Sequence, residues 1–450
     1  MFYRKITTRM EEWYSRQVEK KSALVIEGLR QVGKTTTILD FLSSHYQHVN
    51  VINFKDSPSL RELFKNADLE NGIPLLLANL SAVIPNADLT SSGSVLFLDE
   101  IQECARARYA MKPILAKTNL HIVASGSLLG IRGYNRETDG NVPTGSETIV
   151  TMYPLDFEEF LLAMGEAPST LELLRSYFTH MEPIPTPLHE KMLSLFHQYL
   201  VVGGLPEVVD IFTRRHSVME VREKQRSLLL EYRGDFGRFI DSNGNVRINS
   251  VLQQKLNQIL DVIPSQLAKE KNRFLFSSLP GHPRKDTYED ALTWLCEFGL
   301  AAKCFRISEM ALPLKGYANP DIYKVYFQDS GLFVASLDDS APAHILRGDF
   351  GTYKGAIYEN IVADAFIKKG KGLYYYANAN GLEIDFIIEL DGKAALVEVK
   401  ARSGHTKSAV TVLNDKTKYD VDRCIKLTAG NIGVSGNIVT YPYYLAHLVW

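Results

Sequence analysis

Five short apolar runs, Ala23–Ile26, Val49–Phe54, Val95–Leu98, Leu120–Ser125 and Ile149–Tyr153, recur through the first third of the chain with helix-spaced stretches between them. Continuous rather than alternating apolar runs predict strands buried on both faces, and their alternation with helices predicts an α/β fold around a parallel sheet. From Pro154 onward the period becomes mostly helical, in Leu188–Leu200, in a basic amphipathic stretch from Phe212 to Glu231, and in Val251–Val262 and Thr287–Phe298. The last of these places Leu292, Leu295 and Phe298 at helical intervals, and Gly299–Arg306 after it predicts a small strand. Near the C-terminus the strand-like runs Glu383–Leu390 and Lys393–Lys400 are separated by Asp391-Gly392, a two-residue hairpin signal.

Two segments read as connections: Met181–Leu188, whose three prolines predict a stiff extended linker, and Asp241–Asn245, a turn or loop. At 450 residues the chain has room for about three or four domains, each with its own core. A formal net charge of −2 gives no global nucleic-acid signature, so any DNA contact must be local, and no basic channel of the kind a processive motor uses is evident. Cys104, Cys296, Cys304 and Cys424 lack close paired spacing, which argues against a zinc site or a disulfide framework. The N-terminus lacks the apolar core of a signal peptide and no run reaches the length of a membrane span, so the expectation is a soluble, cytoplasmic protein with no membrane partner.

The most informative feature is Gly28-Leu29-Arg30-Gln31-Val32-Gly33-Lys34-Thr35, followed by Thr36, between a strand and a helix. This is a phosphate-binding loop in its required context. Its glycines permit a tight turn whose N–H groups face inward, Lys34 supplies charge for the β- and γ-phosphates, and the Thr35 hydroxyl is placed to ligate Mg²⁺. The pattern predicts ATP or GTP binding. Asp99-Glu100 ends the buried run Val95–Leu98 at the edge where an open α/β sheet holds its ligand, so Asp99 would hold Mg²⁺ and Glu100 would polarise the attacking water. Ser125, ending a third strand, could touch the γ-phosphate or that water; a polar strand end leading into a glycine turn explains it equally well. Arg214, Arg215, Arg222, Arg226, Arg233 and Arg238 are candidate phosphate sensors in a helical lid, against the plainer reading of a solvated charged face. Short helices from Val246 to about Ser308, ending in a β-wing, predict a winged-helix unit with Arg273, Arg284 and Lys285 near a DNA face; a helical spacer without DNA contact fits as well.

A second chemistry sits in the C-terminal hairpin. The Asp391-Gly392 turn pairs Leu390 with Lys393 and hence Asp385 with Glu398, their Cβ atoms about 5 Å apart, with Lys400 on the same face. Two like charges so close repel, and a divalent cation makes such a pair tolerable: Asp385 and Glu398 would ligate Mg²⁺, with Glu359 from an upstream helix as a further ligand and Lys400 orienting a water.

Together the phosphate loop, Phe97–Gln102, Ala-Ser-Gly-Ser127, Tyr153–Phe160, Gly203–Glu207 and Lys324–Leu332 resemble prokaryotic AAA-type ATPases that carry a C-terminal DUF4143 domain, over nearly the whole chain. The C-terminal part is similar to the PD-(D/E)XK nuclease superfamily, with Glu359, Asp385, Glu398 and Lys400 matching its pattern and Ile384 where the superfamily's name expects proline. Ser146 stands where related ATPases carry Arg or Lys, which leaves Arg132 and Arg136 as the nearest substitutes for an arginine finger. The resemblance implies an AAA-type core at 1–160, a lid at 161–240, a winged-helix-like region at 241–318 and a DUF4143, nuclease-like domain at 319–450. It further implies ATP hydrolysis with Mg²⁺, DNA or a protein as partner, and assembly into a homo-oligomer.

Overall fold

A computed structural model describes residues 2–128, 145–240, 246–269, 273–400 and 407–450. After helix α1 (Ile6–Arg16), the chain alternates β1 (Ala23–Gly28), α2 (Lys34–His45), β2 (His48–Asn53), α3 (Leu60–Lys65), α4 (Ile73–Val83), β3 (Ser94–Asp99), α5 (Ala105–Lys117), β4 (His121–Ser127) and β5 (Glu147–Met152). The five strands form one parallel sheet in the order β2-β3-β4-β1-β5. Every residue of β1 and β3 is buried, which is why these runs are continuous rather than alternating. Insertion of β4 between β1 and β3 is decisive for the site, because the polar residue ending β4 then lies between the glycine loop after β1 and the carboxylates after β3.

Beyond the sheet, α6 (Phe157–Ala163), α7 (Pro168–His180), α8 (Thr186–Val202), α9 (Pro206–Arg215) and α10 (Val218–Asp235) form a helical layer. The basic stretch from Phe212 to Glu231, expected as one helix, is two. His216 adopts a left-handed conformation, ending α9, and the Ser217 hydroxyl accepts from Glu220 N–H to start α10. The proline-rich segment is not a free linker either: α8 starts at Thr186, and buried Ile184 exchanges hydrogen bonds of 2.9 and 2.6 Å with the Asn431 side chain.

A short hairpin, β6 (Arg238–Ile240) and β7 (Val246–Ile248), leads to α11 (Ser250–Ala268), α12 (Lys285–Phe298), β8 (Ala301–Ile307) and β9 (Ala318–Phe327). The loop Asp241–Asn245 between β6 and β7 lies outside the described residues. Then follow α13 (Ser330–Ala335), α14 (Ala341–Leu346), α15 (Lys354–Lys368), β10 (Leu373–Ala377), β11 (Glu383–Ile384), β12 (Phe386–Leu390), β13 (Lys393–Val399), α16 (Lys407–Asn414), β14 (Cys424–Thr428), β15 (Gly433–Ser435) and β16 (Ile438–Pro442). Strands β8 and β9 do not stand out as a free wing, because β8 also pairs with β10, giving a sheet β11-β10-β8-β9. The run Glu383–Leu390, expected as one strand, is broken at Asp385: β11 joins that sheet, and β12 joins the sheet β12-β13-β14-β16-β15. The hairpin register is as the sequence predicts, with Leu390 opposite Lys393 and a turn with positive φ at both Asp391 and Gly392.

The boundaries expected at 160/161 and 318/319 fall inside α6 and β9, and that at 240/241 separates the two strands of β6–β7. One continuous hydrophobic core runs from Ile6 to Val449, through the inner face of the parallel sheet, the helical layer and both later sheets. The cores on the far faces of the parallel sheet and of the C-terminal sheet are separate. At the centre Gly204 lies so close to Leu155 that an added Cβ would sit 2.1 Å from the Leu155 carbonyl oxygen. Gly204→Ala is therefore expected to destabilise the protein by about 3 kcal/mol or more, read from denaturant unfolding. A wild-type unfolding midpoint would contradict this packing.

Candidate functional site

The loop after β1 is built by close approach. A Cβ on Gly28 would meet the Met152 carbonyl oxygen at 2.4 Å, and Gly33 has φ of 90°, a left-handed conformation that caps α2 without strain only for glycine. Leu29 and Val32 point into the core, leaving the backbone of the loop to face outward. Lys34, buried at the start of α2, donates to the carbonyls of Gly28 at 3.1 Å and Leu29 at 3.0 Å. Burial pulls its ammonium down to about 8, against the opposing pull of Glu100 and Asp99.

Thr35 Oγ1 donates to Asp99 Oδ2 at 3.0 Å, Asn53 Nδ2 donates to the same oxygen at 3.0 Å, and Ser125 Oγ donates to Oδ1. Burial raises the Asp99 carboxyl above its ordinary range, and the hydroxyls of Ser125 and Thr35 partly offset this. Ser125 is fully buried with its hydroxyl on Asp99, and it does not line the cleft. Asn53 was missed by the sequence reading, although it ends its strand at the same sheet edge as Asp99 and Ser125. Glu100 is left-handed, with φ of 53°, and accepts from Gln102 Nε2. A non-glycine residue in that region is strained, and such strain is commonly stored at functional positions.

A cleft of about 600 Å³ opens over these groups, with Lys34, Thr35, Thr36 and Glu100 on one wall and Glu231, Asp235 and Arg238 of the lid on the other. The lid end is tied to the loop: Arg30 pairs with Asp235, Gln31 Nε2 donates to Glu231, and Tyr232 Oη donates to the Arg30 carbonyl at 2.9 Å. Of the six arginines expected as phosphate sensors, Arg238 alone lines this cleft. Arg214, Arg215 and Arg233 pair with Asp210, Glu220 and Asp261, while Arg222 and Arg226 both pair with Asp339. Arg132 and Arg136 lie outside the described residues. In the expected DNA-facing region Lys285 is engaged by Asp321 at 2.7 Å.

The C-terminal cluster forms at the break between β11 and β12. Lys400 Nζ contacts Glu398 and, at 3.4 Å, Asp385 Oδ2, so both carboxylates project to one side. Asp385 Oδ2 also accepts from Val399 N–H at 2.7 Å. On the other flank Lys324 Nζ lies 3.3 Å from Glu359 and 3.0 Å from Glu383, and Tyr326 Oη donates to Glu359 at 2.9 Å. Burial, and next the charge of Glu359, push the Asp385 carboxyl up to about 7. Burial lowers Lys324, but Glu359, Glu383 and Asp385 more than reverse this and hold its ammonium above the usual lysine range.

The expected four residues are thus brought together, and the ammonium groups of Lys324 and Lys400 offset the repulsion among the carboxylates. Among the described residues no group of three or more His, Cys, Asp or Glu is arranged to hold a metal ion. Glu398 Oε1 is buried without a partner, yet Lys324 and Lys400 stand where a cation would serve Glu359, Asp385 and Glu398, so these residues do not form a metal site as placed. At the phosphate loop the donor set fits: Thr35 Oγ1 and Asp99 are hard oxygens in contact at the edge of the cleft.

Residues 20–161 match the model of an AAA domain, and 354–444 match DUF4143, a domain of unknown function. The chain carries an AAA domain and a DUF4143 domain. Between them, residues 193–343 match a further domain of unknown function, DUF8612. No curated protein matches the chain. Among solved structures it is similar to a Walker-type ATPase of Pyrococcus abyssi, with 15% identity over 75% of this chain and 96% of that one, and a TM-score of 0.42. It is also similar to the ORC2 protein of Aeropyrum pernix, at 13% identity over 79% and 94% with a TM-score of 0.38. The RuvB Holliday junction branch migration motor of Thermotoga maritima matches at 13% identity over 66% of this chain and 88% of that one, with a TM-score of 0.29. No described helix is long and apolar enough to cross a membrane.

The DUF4143 cluster generates a prediction. Lys324→Met removes a buried ammonium and leaves the half-buried Glu359 and Glu383 without their cation, which should cost about 3 kcal/mol of stability. Lys400→Met strands Glu398 and Asp385, whose side chains are 1% and 10% exposed, and should cost at least as much although the lysine itself is 30% exposed. Glu359→Gln added to Lys324→Met should recover part of the loss, whereas no recovery in urea unfolding would contradict the charge pairing.

Proposed function

We propose that the AAA domain binds ATP with Mg²⁺ between residues 28–36 and the end of α10, hydrolyses it, and uses nucleotide state to control how the DUF4143 domain engages DNA. The observation that carries this reading is the contact at 3.0 Å between buried Asp99 and Thr35, which lines the cleft together with Lys34 and Glu100. Loop N–H groups and the N-terminus of α2 cradle the phosphates, and Lys34 moves from the Gly28 and Leu29 carbonyls onto the phosphate oxygens. Thr35 and Asp99 would hold Mg²⁺, which supplies charge neutralisation at the phosphates when bound. Glu100 orients the attacking water as general base, while Asn53 and Ser125 keep Asp99 in place. Arg238 approaches from the lid. Because the chain offers no arginine at Ser146, Arg132 or Arg136 of a second copy is the candidate to complete the site, which makes a homo-oligomer the active form.

For the C-terminal part, the convergence of Glu359, Asp385, Glu398 and Lys400 supports a nuclease-like arrangement acting on DNA. A second reading is favoured by Lys324: with its ammonium inside the carboxylate cluster, the domain keeps the shape of such a site and serves as an ATP-controlled binding module acting through a partner. Incubating plasmid, branched and single-stranded DNA with the protein and Mg²⁺ or Mn²⁺, with and without ATP, separates the two. Cleavage that disappears in Lys400→Ala supports processing, and binding without cleavage supports the second reading.

For the nucleotide site, Lys34→Ala should weaken a non-hydrolysable ATP analogue by about 1.5–3 kcal/mol in calorimetry, because a charged donor is lost. Glu100→Gln should bind normally and lose about 10²–10⁴-fold in turnover. Wild-type affinity in the first variant, or unchanged hydrolysis in the second, would overturn the assignment.

A further inference from the structure

Residues 153–156, Tyr-Pro-Leu-Asp, join β5 to α6 and belong neither to the nucleotide cleft nor to the C-terminal cluster, yet contacts from both ends of the molecule meet on them. Arg4, buried and outside the matched AAA region, donates from Nη1 to the Val32 carbonyl of the phosphate loop at 2.7 Å, from Nη2 to the Tyr153 carbonyl at 2.6 Å, and from Nε to Glu159 at 3.2 Å. Two residues along, the Leu155 carbonyl accepts from Lys368 Nζ at 3.1 Å, and that ammonium also donates to Tyr199 Oη at 2.9 Å and Asp364 at 2.7 Å. Lys368 is the last residue of α15, the helix that carries Glu359. A cavity of about 180 Å³ lies between the two anchors, lined by Arg4, Met152, Tyr153, Asp156 and Lys368, so neither anchor is locked by dense packing alone.

All three nitrogens of Arg4 are committed to different elements, so a shift of the Val32 carbonyl pulls on Tyr153 and Glu159 or breaks a buried charged hydrogen bond. Lys368 is equally committed: its three donors meet three acceptors, and leaving any of them exposes a buried ammonium to an apolar surround. We propose that residues 153–156 form a coupling strap, and that Arg4 and Lys368 are positioning residues through which the phosphate loop and α15 fix one another. Nucleotide occupancy then biases the helix that presents Glu359, and by reciprocity the anchoring of α15 sets nucleotide affinity. This inference rests on the nucleotide reading above for its ligand, and on geometry alone for the mechanical link.

Hydrogen exchange of the full chain, with and without a non-hydrolysable ATP analogue, tests it in wild type, in Arg4→Lys and in the paired variant Lys368→Met with Asp364→Asn, in which Asp364 is not left as a bare carboxylate and Asp329 keeps its backbone donors Gly204 and Leu332. Without ligand, Arg4→Lys should speed exchange at residues 31–34 and the paired variant at 354–368; a loop unchanged in Arg4→Lys overturns the strap whether or not nucleotide binds. With the analogue, wild type should gain protection at both 28–36 and 354–368. The paired variant should keep the first, lose the second and bind about 5-fold or more weakly. Helix protection that survives in the paired variant, or is missing from a wild type whose loop is protected, overturns the proposal. A wild type in which the analogue protects neither region refutes the nucleotide reading instead, and the ligand-free comparison decides the strap. Should Arg4→Lys fail to fold, the paired variant carries the same decision.

Discussion

The backbone of Leu155 is the contact on which the arrangement of the molecule depends. Its N–H donates to the Gly204 carbonyl at 2.7 Å, and its carbonyl accepts from Tyr199 Oη at 2.8 Å and from Lys368. Gly204 N–H in turn donates to Asp329 at 2.7 Å, and Asp329 caps α13 through Leu332 N–H. Each of these groups is buried, where an unpaired polar atom costs about 1–3 kcal/mol, so the set forms together or not at all. The stretches around Leu155, Gly204 and Asp329 look unrelated along the chain. They are one packed contact in space, and the glycines in it are there because backbone approaches backbone.

The two carboxylate sites solve the problem of buried negative charge differently. Asp99 is surrounded by neutral donors, the two hydroxyls of Thr35 and Ser125 and the amide of Asn53. Such a carboxylate retains unmet attraction for a cation arriving with a ligand. The C-terminal carboxylates already have theirs, since Lys324 serves Glu359 and Glu383 while Lys400 serves Asp385 and Glu398. A metal entering there must displace an ammonium or rearrange around it, and the same contacts stabilise the junction between two sheets.

Much of this was legible in the sequence because the signals are local. The five strands, the glycine loop and the Asp391-Gly392 turn each follow from a few consecutive residues, and the turn alone carried the register as far as Phe386 and Val397, one residue short of the expected Asp385 and Glu398 pair. Long-range contacts were not legible. Lys324 sits on β9 and reaches the cluster only because β8 pairs on one side with β9 and on the other with β10, a topology that no local pattern encodes. Likewise, Arg222 and Arg226 looked like candidate sensors until Asp339, more than a hundred residues away, was found beside both. Ser125 was placed at the right strand end, but strand order decides that its hydroxyl meets Asp99 instead of the cleft.

The side chains of the phosphate loop are bonded within the protein itself. Lys34 is bonded to two carbonyls of its own loop, while Arg30 and Gln31 are bonded to the lid through Asp235 and Glu231. A phosphate group competing for Lys34 therefore exchanges existing bonds for better ones, and net affinity is the difference rather than the sum. A ligand would shift the end of α10 only as far as it binds differently to the loop with the Arg30 and Gln31 contacts made and broken. With Tyr232 bonded to the Arg30 carbonyl, as Asp235 and Glu231 are to the side chains of Arg30 and Gln31, residues 30 and 31 and the end of α10 are held as one unit.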